Sequence, residues 1–304
     1  MKKRILPLIL LLLVCVAALC PLSVQALTPL DPDAEASLTL HYQKEGTGFA
    51  GLQIGIDRVA AAFPDGSFQL TEPFALYPIN IHGITKQEQW NHVAQTFSSY
   101  MVADQVTPNC EMTTDEHGTV CFSDLDTGLY FVREATAETA DGTYIFHPFL
   151  VYVPTPQTDG SYLYAVEARP KCSKFVPKNQ YSVTKLWQDG GSQDLRPKEV
   201  AVDIYQDGVL YETQILNAEN NWTYTWYVAD EELHQWTVAE RAVADSYKVT
   251  IRQNGSHFSI INTHQTPPDT PQTGDSAAPM RWILLMCFSG IVLVILGIYN
   301  RRRG

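Results

Sequence analysis

The chain has 304 residues, 45% of them hydrophobic and 11% aromatic, with 33 acidic against 21 basic side chains. That composition excludes a disordered polymer and has room for two globular domains. Seven cations (Lys2, Lys3, Arg4, Arg281 and Arg301 to Arg303) and only the acid Asp275 lie in the two ends, so Leu27 to Thr273 carries 14 basic against 32 acidic side chains, a surface that repels nucleic acid.

Residues 1–26 read as a signal peptide: Lys2, Lys3 and Arg4 precede the apolar run Ile5 to Leu19, and Val24-Gln25-Ala26 forms a small-residue cleavage site. Secretion would leave Leu27 as the new N-terminus. Cys20 offers a lipoprotein alternative, against which Leu19 stands where a small residue is wanted.

The first domain is expected over residues 34–172. Alternating runs such as Ser37 to Tyr42, Tyr130 to Glu134 and Tyr162 to Ala168, broken by Gly, Asp, Asn and Pro, predict an all-β sandwich. One helix interrupts it, starting at a capping box Thr85-Lys86-Gln87-Glu88, with Trp90, Val93, Phe97 and Met101 at helical spacing as a stripe packed on the sandwich. The ectodomain keeps only Cys110, Cys121 and Cys172. Cys110 and Cys121 flank the turn signal Asp115-Glu116-His117-Gly118, so they either pair as a disulfide across a hairpin or remain unpaired core thiols. The chain has no His/Cys spacing for a metal, no phosphate loop and no nucleophile elbow, so neither metal, cofactor nor catalysis on an external substrate is expected.

A linker at 173–180 leads to a second sandwich at 181–264. Three strand-like runs each place a polar residue in line with two apolar ones at alternate positions: Val183, Lys185, Trp187; Trp236, Val238, Glu240; Phe258, Ile260, Asn262. A Lys, a Glu and an Asn therefore face inward, and burial makes each costly unless they meet. Desolvation there favours a neutral amine beside a protonated acid. Lys185 Nζ could then attack the Asn262 side-chain carbonyl, with Glu240 shuttling protons, expelling ammonia and leaving an amide crosslink. A buried Lys–Glu ion pair with a satisfied Asn is the alternative that residue types leave open.

Residues 265–272 form a short stalk stiffened by Pro267, Pro268 and Pro271. Residues 282–299 are uncharged and apolar, long enough to span a membrane, and the basic tail 301–303 orients the C-terminus inward.

The run Tyr181 to Trp187, Arg196-Pro197, Ile204 to Gly208, Asn220 to Tyr224, Val238-Ala239-Glu240, Ser246-Tyr247 and Ile260 to Thr263 resembles a Cna B-type domain along its whole length. The resemblance implies an Ig-like, prealbumin-like β-sandwich of Gram-positive surface proteins with a Lys–Asn isopeptide bond assisted by an acid; by position these residues are Lys185, Asn262 and Glu240. The first domain resembles pilin-type relatives of the same fold through Thr114 to Leu125, Gly128 to Glu134, Pro148 to Pro154 and Ala165 to Lys171. There Tyr42 stands where the family has its lysine and Cys172 where it has its asparagine, so only Glu134 of the trio remains. No isopeptide is expected in the first domain; a Tyr42–Glu134 hydrogen bond is, with Lys44 as an out-of-register alternative lysine. Ala168 to Cys172 is similar to a pilin motif and makes Lys171 a possible sortase acceptor. The motif Thr270-Pro271-Gln272-Thr273-Gly274, followed by the apolar span and basic tail within 270–304, resembles a sortase sorting signal with Thr270 replacing the usual leucine.

These resemblances imply a minor or basal pilin or a short wall-anchored adhesin. Its partners would be sortase, peptidoglycan or other pilin subunits and a host or matrix ligand the sequence does not name, with the membrane contacted through the C-terminal helix before sorting. The alternatives are a single-pass surface binding protein that keeps its membrane tail, an extracellular enzyme, and a eukaryotic receptor with glycan sequons at Asn221 and Asn254.

Overall fold

A computed structural model describes residues 29–228 and 232–265. The signal peptide, the stalk beyond Gln265, the sorting motif, the apolar span and the basic tail lie outside the described residues. No helix among the described residues is long and apolar enough to cross a membrane.

The first part is built from β1 (Ala36–His41), β2 (Gln53–Ala62), β3 (Phe68–Leu70), the helix α1 (Gln87–Ala103), β4 (Cys110–Thr113), β5 (Thr119–Leu125), β6 (Gly128–Val132), β7 (Ala135–Thr139), β8 (Gly142–Phe146), β9 (Phe149–Val153), β10 (Ala165–Ala168) and β11 (Cys172–Lys174). Its sheets run β10-β1-β5, β11-β8-β7 and β9-β6-β2-β3, with β4 also paired to β2. Alternation in β1 turns Ala36, Leu38 and Leu40 inward. They meet Ile54, Ile56, Phe122, Val132 and Phe146 in one apolar core.

The second part comprises β12 (Gln180–Gln188), β13 (Glu199–Gln206), β14 (Val209–Asn217), β15 (Thr223–Tyr227), β16 (Trp236–Glu240), β17 (Tyr247–Asn254) and β18 (His257–His264). A four-stranded sheet, β15-β12-β18-β17, faces a three-stranded one, β14-β13-β16. Its first and last strands, β12 and β18, are parallel neighbours. The expected linker is shorter than the sequence suggests: Ser173 and Lys174 belong to β11, paired with β8, and Gln180 opens β12.

Two local expectations shift. The helix begins one residue later than Thr85–Glu88 implies, and Gln89 Oε1 accepts the Lys86 and Thr85 N–H groups at 3.1 and 3.3 Å. Its stripe does pack on the first sandwich, with Phe97 6.1 Å from Phe74 and 6.3 Å from Phe131. However, Thr96, Ser99 and Tyr100 are buried too, because the opposite side of α1 meets β16 and β17. The edge strand β17 is closed by the first part: Val249 N–H donates to Pro78 O at 2.6 Å and Ile251 N–H to Thr96 Oγ1 at 2.8 Å. The described residues up to His264 consequently form one compact unit.

The cysteine expectation also changes. Cys110 and Cys121 are free, exposed thiols rather than a disulfide or core residues. The Asp115–Gly118 turn is formed, with Asp115 Oδ1 accepting from His117 and Thr119 N–H and Gly118 at φ +75°. Yet the strands it joins pair elsewhere, β4 with β2 and β5 with β1, so no cross-hairpin pair brings the two thiols together.

Candidate functional site

In β12, Tyr181, Val183 and Lys185 are buried in alternation, and in β18 Phe258, Ile260 and Asn262 share the facing interior. The parallel register sets Lys185 opposite Ile260 and Trp187 opposite Asn262, so the lysine and the asparagine are diagonal neighbours on one face. Glu240, the last residue of β16, enters from the opposing sheet. Its Oε1 accepts Asn262 Nδ2 at 2.8 Å, and its Oε2 lies 3.6 Å from Lys185 Nζ. The structure thus brings together all three residues expected to form the crosslinking centre.

The centre is buried, with the lysine and glutamate side chains 0% and 2% exposed. Lys185 Nζ donates to Leu186 O at 3.0 Å and sits 3.9 Å over the Trp187 ring. Burial pulls its pKa down to about 8, opposed by the attraction of Glu240. Burial likewise pushes the Glu240 carboxyl up, opposed by Lys185 and the Asn262 hydrogen bond. Both shifts favour the neutral pair. Two buried acceptors, Glu240 Oε2 and Asn262 Oδ1, have no hydrogen-bond donor. A proton on Glu240, with the Asn262 amide turned over, would supply a donor to the amide oxygen and polarise the carbon that an amine attacks. A cavity of about 190 Å³ lined in part by Glu240, Asn262, Pro197 and Ala244 adjoins the centre.

The corresponding first-part residues form no such centre. Tyr42 is fully buried with its ring edge-on to Phe146 at 4.9 Å, and its hydroxyl has no hydrogen-bond partner. The expected Tyr42–Glu134 hydrogen bond is absent because Glu134, lying past the end of β6, instead accepts Gln235 Nε2 of the second part at 2.9 Å. Burial pushes its carboxyl up to about 7. Lys44 donates to Tyr144 Oη at 3.0 Å, away from Glu134. Lys171 is exposed, and its carbonyl accepts His147 N–H at 3.3 Å. Among the ion pairs that escaped sequence reasoning, Asp57, wholly buried in β2, accepts Arg133 Nε at 2.7 Å and Nη2 at 3.2 Å. A lone carboxylate in the apolar run Ile54 to Ala62 is the signal that marks it.

Among the described residues no group of His, Cys, Asp and Glu could hold a metal ion.

The Cna protein B-type domain family matches residues 181–263. The collagen adhesin of Staphylococcus aureus is 36% identical over 110 residues, which are 34% of this chain and 9% of the adhesin. The chain thus spans under a tenth of that curated relative. Among solved structures, a single B repeat unit of the collagen binding surface protein of Staphylococcus aureus aligns at 16% identity and a TM-score of 0.27, covering 77% of this chain and 99% of that one. The full-length major pilin SpaD of Corynebacterium diphtheriae aligns at 13% identity and a TM-score of 0.31, covering 78% of this chain and 100% of that one. Lys185, Glu240 and Asn262 all lie inside the span, residues 181–263, that is similar to the Cna protein B-type domain family.

Proposed function

We propose that the chain is a cell-surface structural protein of a Gram-positive bacterium, a minor or basal pilin or a short wall-anchored adhesin, stiffened by a Lys185–Asn262 amide bond and attached through its C-terminal sorting motif. The observation that carries this reading is the buried Lys–Glu–Asn centre bridging the first and last strands of the second sandwich. Neutral Lys185 Nζ attacks Asn262 Cγ, and protonated Glu240 steadies the developing oxyanion. The carboxyl then passes a proton from the lysine nitrogen to the departing amide nitrogen, which leaves as ammonia. One N–C bond forms, one breaks, and Glu240 ends as it began. The reaction happens once per molecule, so the protein turns over no external substrate.

A link between neighbouring first and last strands keeps the sandwich from being pulled open from its ends, which suits a tether under load. The sorting motif Thr270 to Gly274 would hand the Thr273 carboxyl to peptidoglycan or to a pilin subunit, and Lys171 is exposed enough to receive such a carboxyl from another subunit. Expression of the full chain in a sortase-bearing Gram-positive host, followed by wall and membrane fractionation, tests the attachment. The reading expects release by wall-digesting enzymes, and retention in the membrane fraction for Thr273→Ala. Equal membrane retention of both chains would instead leave a membrane-held surface protein.

A further inference from the structure

The two carriers of the link, Lys185 and Asn262, are set by the register of adjacent strands in one sheet. Glu240 comes from the other sheet, at the very end of β16, where it pairs with Val202 of β13. Besides its pairing with β13, that strand is touched at both ends by the first part of the molecule. Before it, Gln235 Nε2 donates to Glu134 Oε1 at 2.9 Å. At its close, Tyr100 Oη of α1 donates to the Glu240 carbonyl at 3.3 Å.

The next residue completes the grip. Arg241 reaches Asp104 Oδ1 at 3.0 Å and Ala103 O, at the end of α1, at 3.2 Å. The same guanidinium holds Asp203 Oδ2 at 2.9 Å and Tyr205 Oη at 2.7 Å on neighbouring β13. The outward face of β16 is sealed as well, with Thr237 and Ala239 buried on the side away from Val238.

We propose that the helix-bearing first part is a positioning frame for Glu240, so that the amide link forms only once the two parts have docked. This rests on the crosslinking reading above. Tyr100, Asp104 and Glu134 touch none of the reacting atoms; they act through the strand that carries the acid. The frame also gives a use to Glu134, which stands outside its own sandwich core. Docking would thereby become the checkpoint that precedes an irreversible bond.

The test uses Leu27 to Thr273 made by cell-free synthesis, with translation stopped and intact mass followed over time at several pH values. Tyr100→Phe deletes the donor to the Glu240 carbonyl, Gln235→Ala removes the contact with Glu134, and Asp104→Ala removes one of the two contacts that tie Arg241 to the end of α1. Each is expected to slow ammonia loss on the order of 10- to 100-fold, the usual effect of a small misplacement of a reacting group. Glu240 faces Lys185 from β12 and Asn262 from β18, with Arg241 and Tyr100 beside its backbone; once released it hydrates and gives up its proton more readily. The alkaline limb of the pH–rate profile should therefore move to lower pH in the variants.

Unchanged rates and profiles in all three variants would overturn the frame while leaving the crosslink standing. Slower loss with an unmoved profile would also overturn it, as the mark of a general loss of stability. The same substitutions in a Glu240→Ala background, where neither chain links, report by thermal unfolding whether each variant is folded. A parent chain that keeps its ammonia would remove the crosslink and the frame together.

Discussion

Lys185 and Glu240 are buried side by side in surroundings that make both of their usual charges costly, and Asn262 completes the group. Glu240→Gln keeps the shape and a hydrogen-bonding partner for Asn262 but cannot cycle a proton, so ammonia loss is expected to slow by about 100-fold or more, read by timed intact mass. Lys185→Ala leaves a buried carboxyl without its neighbour and should cost about 1–3 kcal/mol in denaturant unfolding relative to Lys185→Met paired with Glu240→Gln. In the parent, the rate should climb as pH rises toward the lysine value of about 8, because the reactive form is the neutral amine. A rate independent of pH across that range would contradict the assigned nucleophile. These three residues were legible in the sequence because strand geometry has period two and each run carries a single polar residue among apolar ones. Tyr42 and Glu134 were not: Glu134 follows the end of its strand, where alternation no longer says which way a side chain turns.

The helix α1 shows what periodicity can and cannot report at the scale of an element. Its apolar stripe predicted a helix and a buried face, and Phe97 does lie against Phe74 and Phe131. The second buried face, with Thr96, Ser99 and Tyr100, looks polar in sequence, and only the docking of β16 and β17 explains its burial. Phe97→Ala should cost about 3–5 kcal/mol through the cavity it leaves. Thr96→Val should cost about 1–3 kcal/mol by leaving the Ile251 N–H without an acceptor. Denaturant unfolding in an Asn262→Ala background measures both without interference from a crosslink; a Thr96→Val chain as stable as its parent would mean that the β17 edge does not depend on the helix. The cysteines fail for a related reason: the turn between them was legible, while the different partners of β4 and β5 are set by long-range pairing.

Across the described residues, the core of the second sandwich continues through α1 to the face of the first that carries Val59, Leu129 and Phe131, while the first sandwich's own core is a separate cluster. Burial of Glu134, opposed by the Gln235 hydrogen bond, makes that union sensitive to pH. Glu134 rises from an ordinary 4.5 to about 7 in the folded chain, so the native state holds a proton that the unfolded chain has released between those values. Its contribution is full below about 4.5 and is lost as pH rises through about 7. The thermal midpoint of an Asn262→Ala chain should accordingly fall across that window, and Glu134→Gln should flatten the fall; an identical slope in both chains would assign the pH dependence to other groups. The central claim, an amide bond between Lys185 and Asn262, is tested most directly by the intact mass of reduced Leu27 to Thr273 beside its Lys185→Ala, Glu240→Ala and Asn262→Ala variants. The account predicts that the parent alone is lighter than its calculated mass by one ammonia; a parent at full calculated mass would contradict it and leave a buried polar cluster in place of a crosslink.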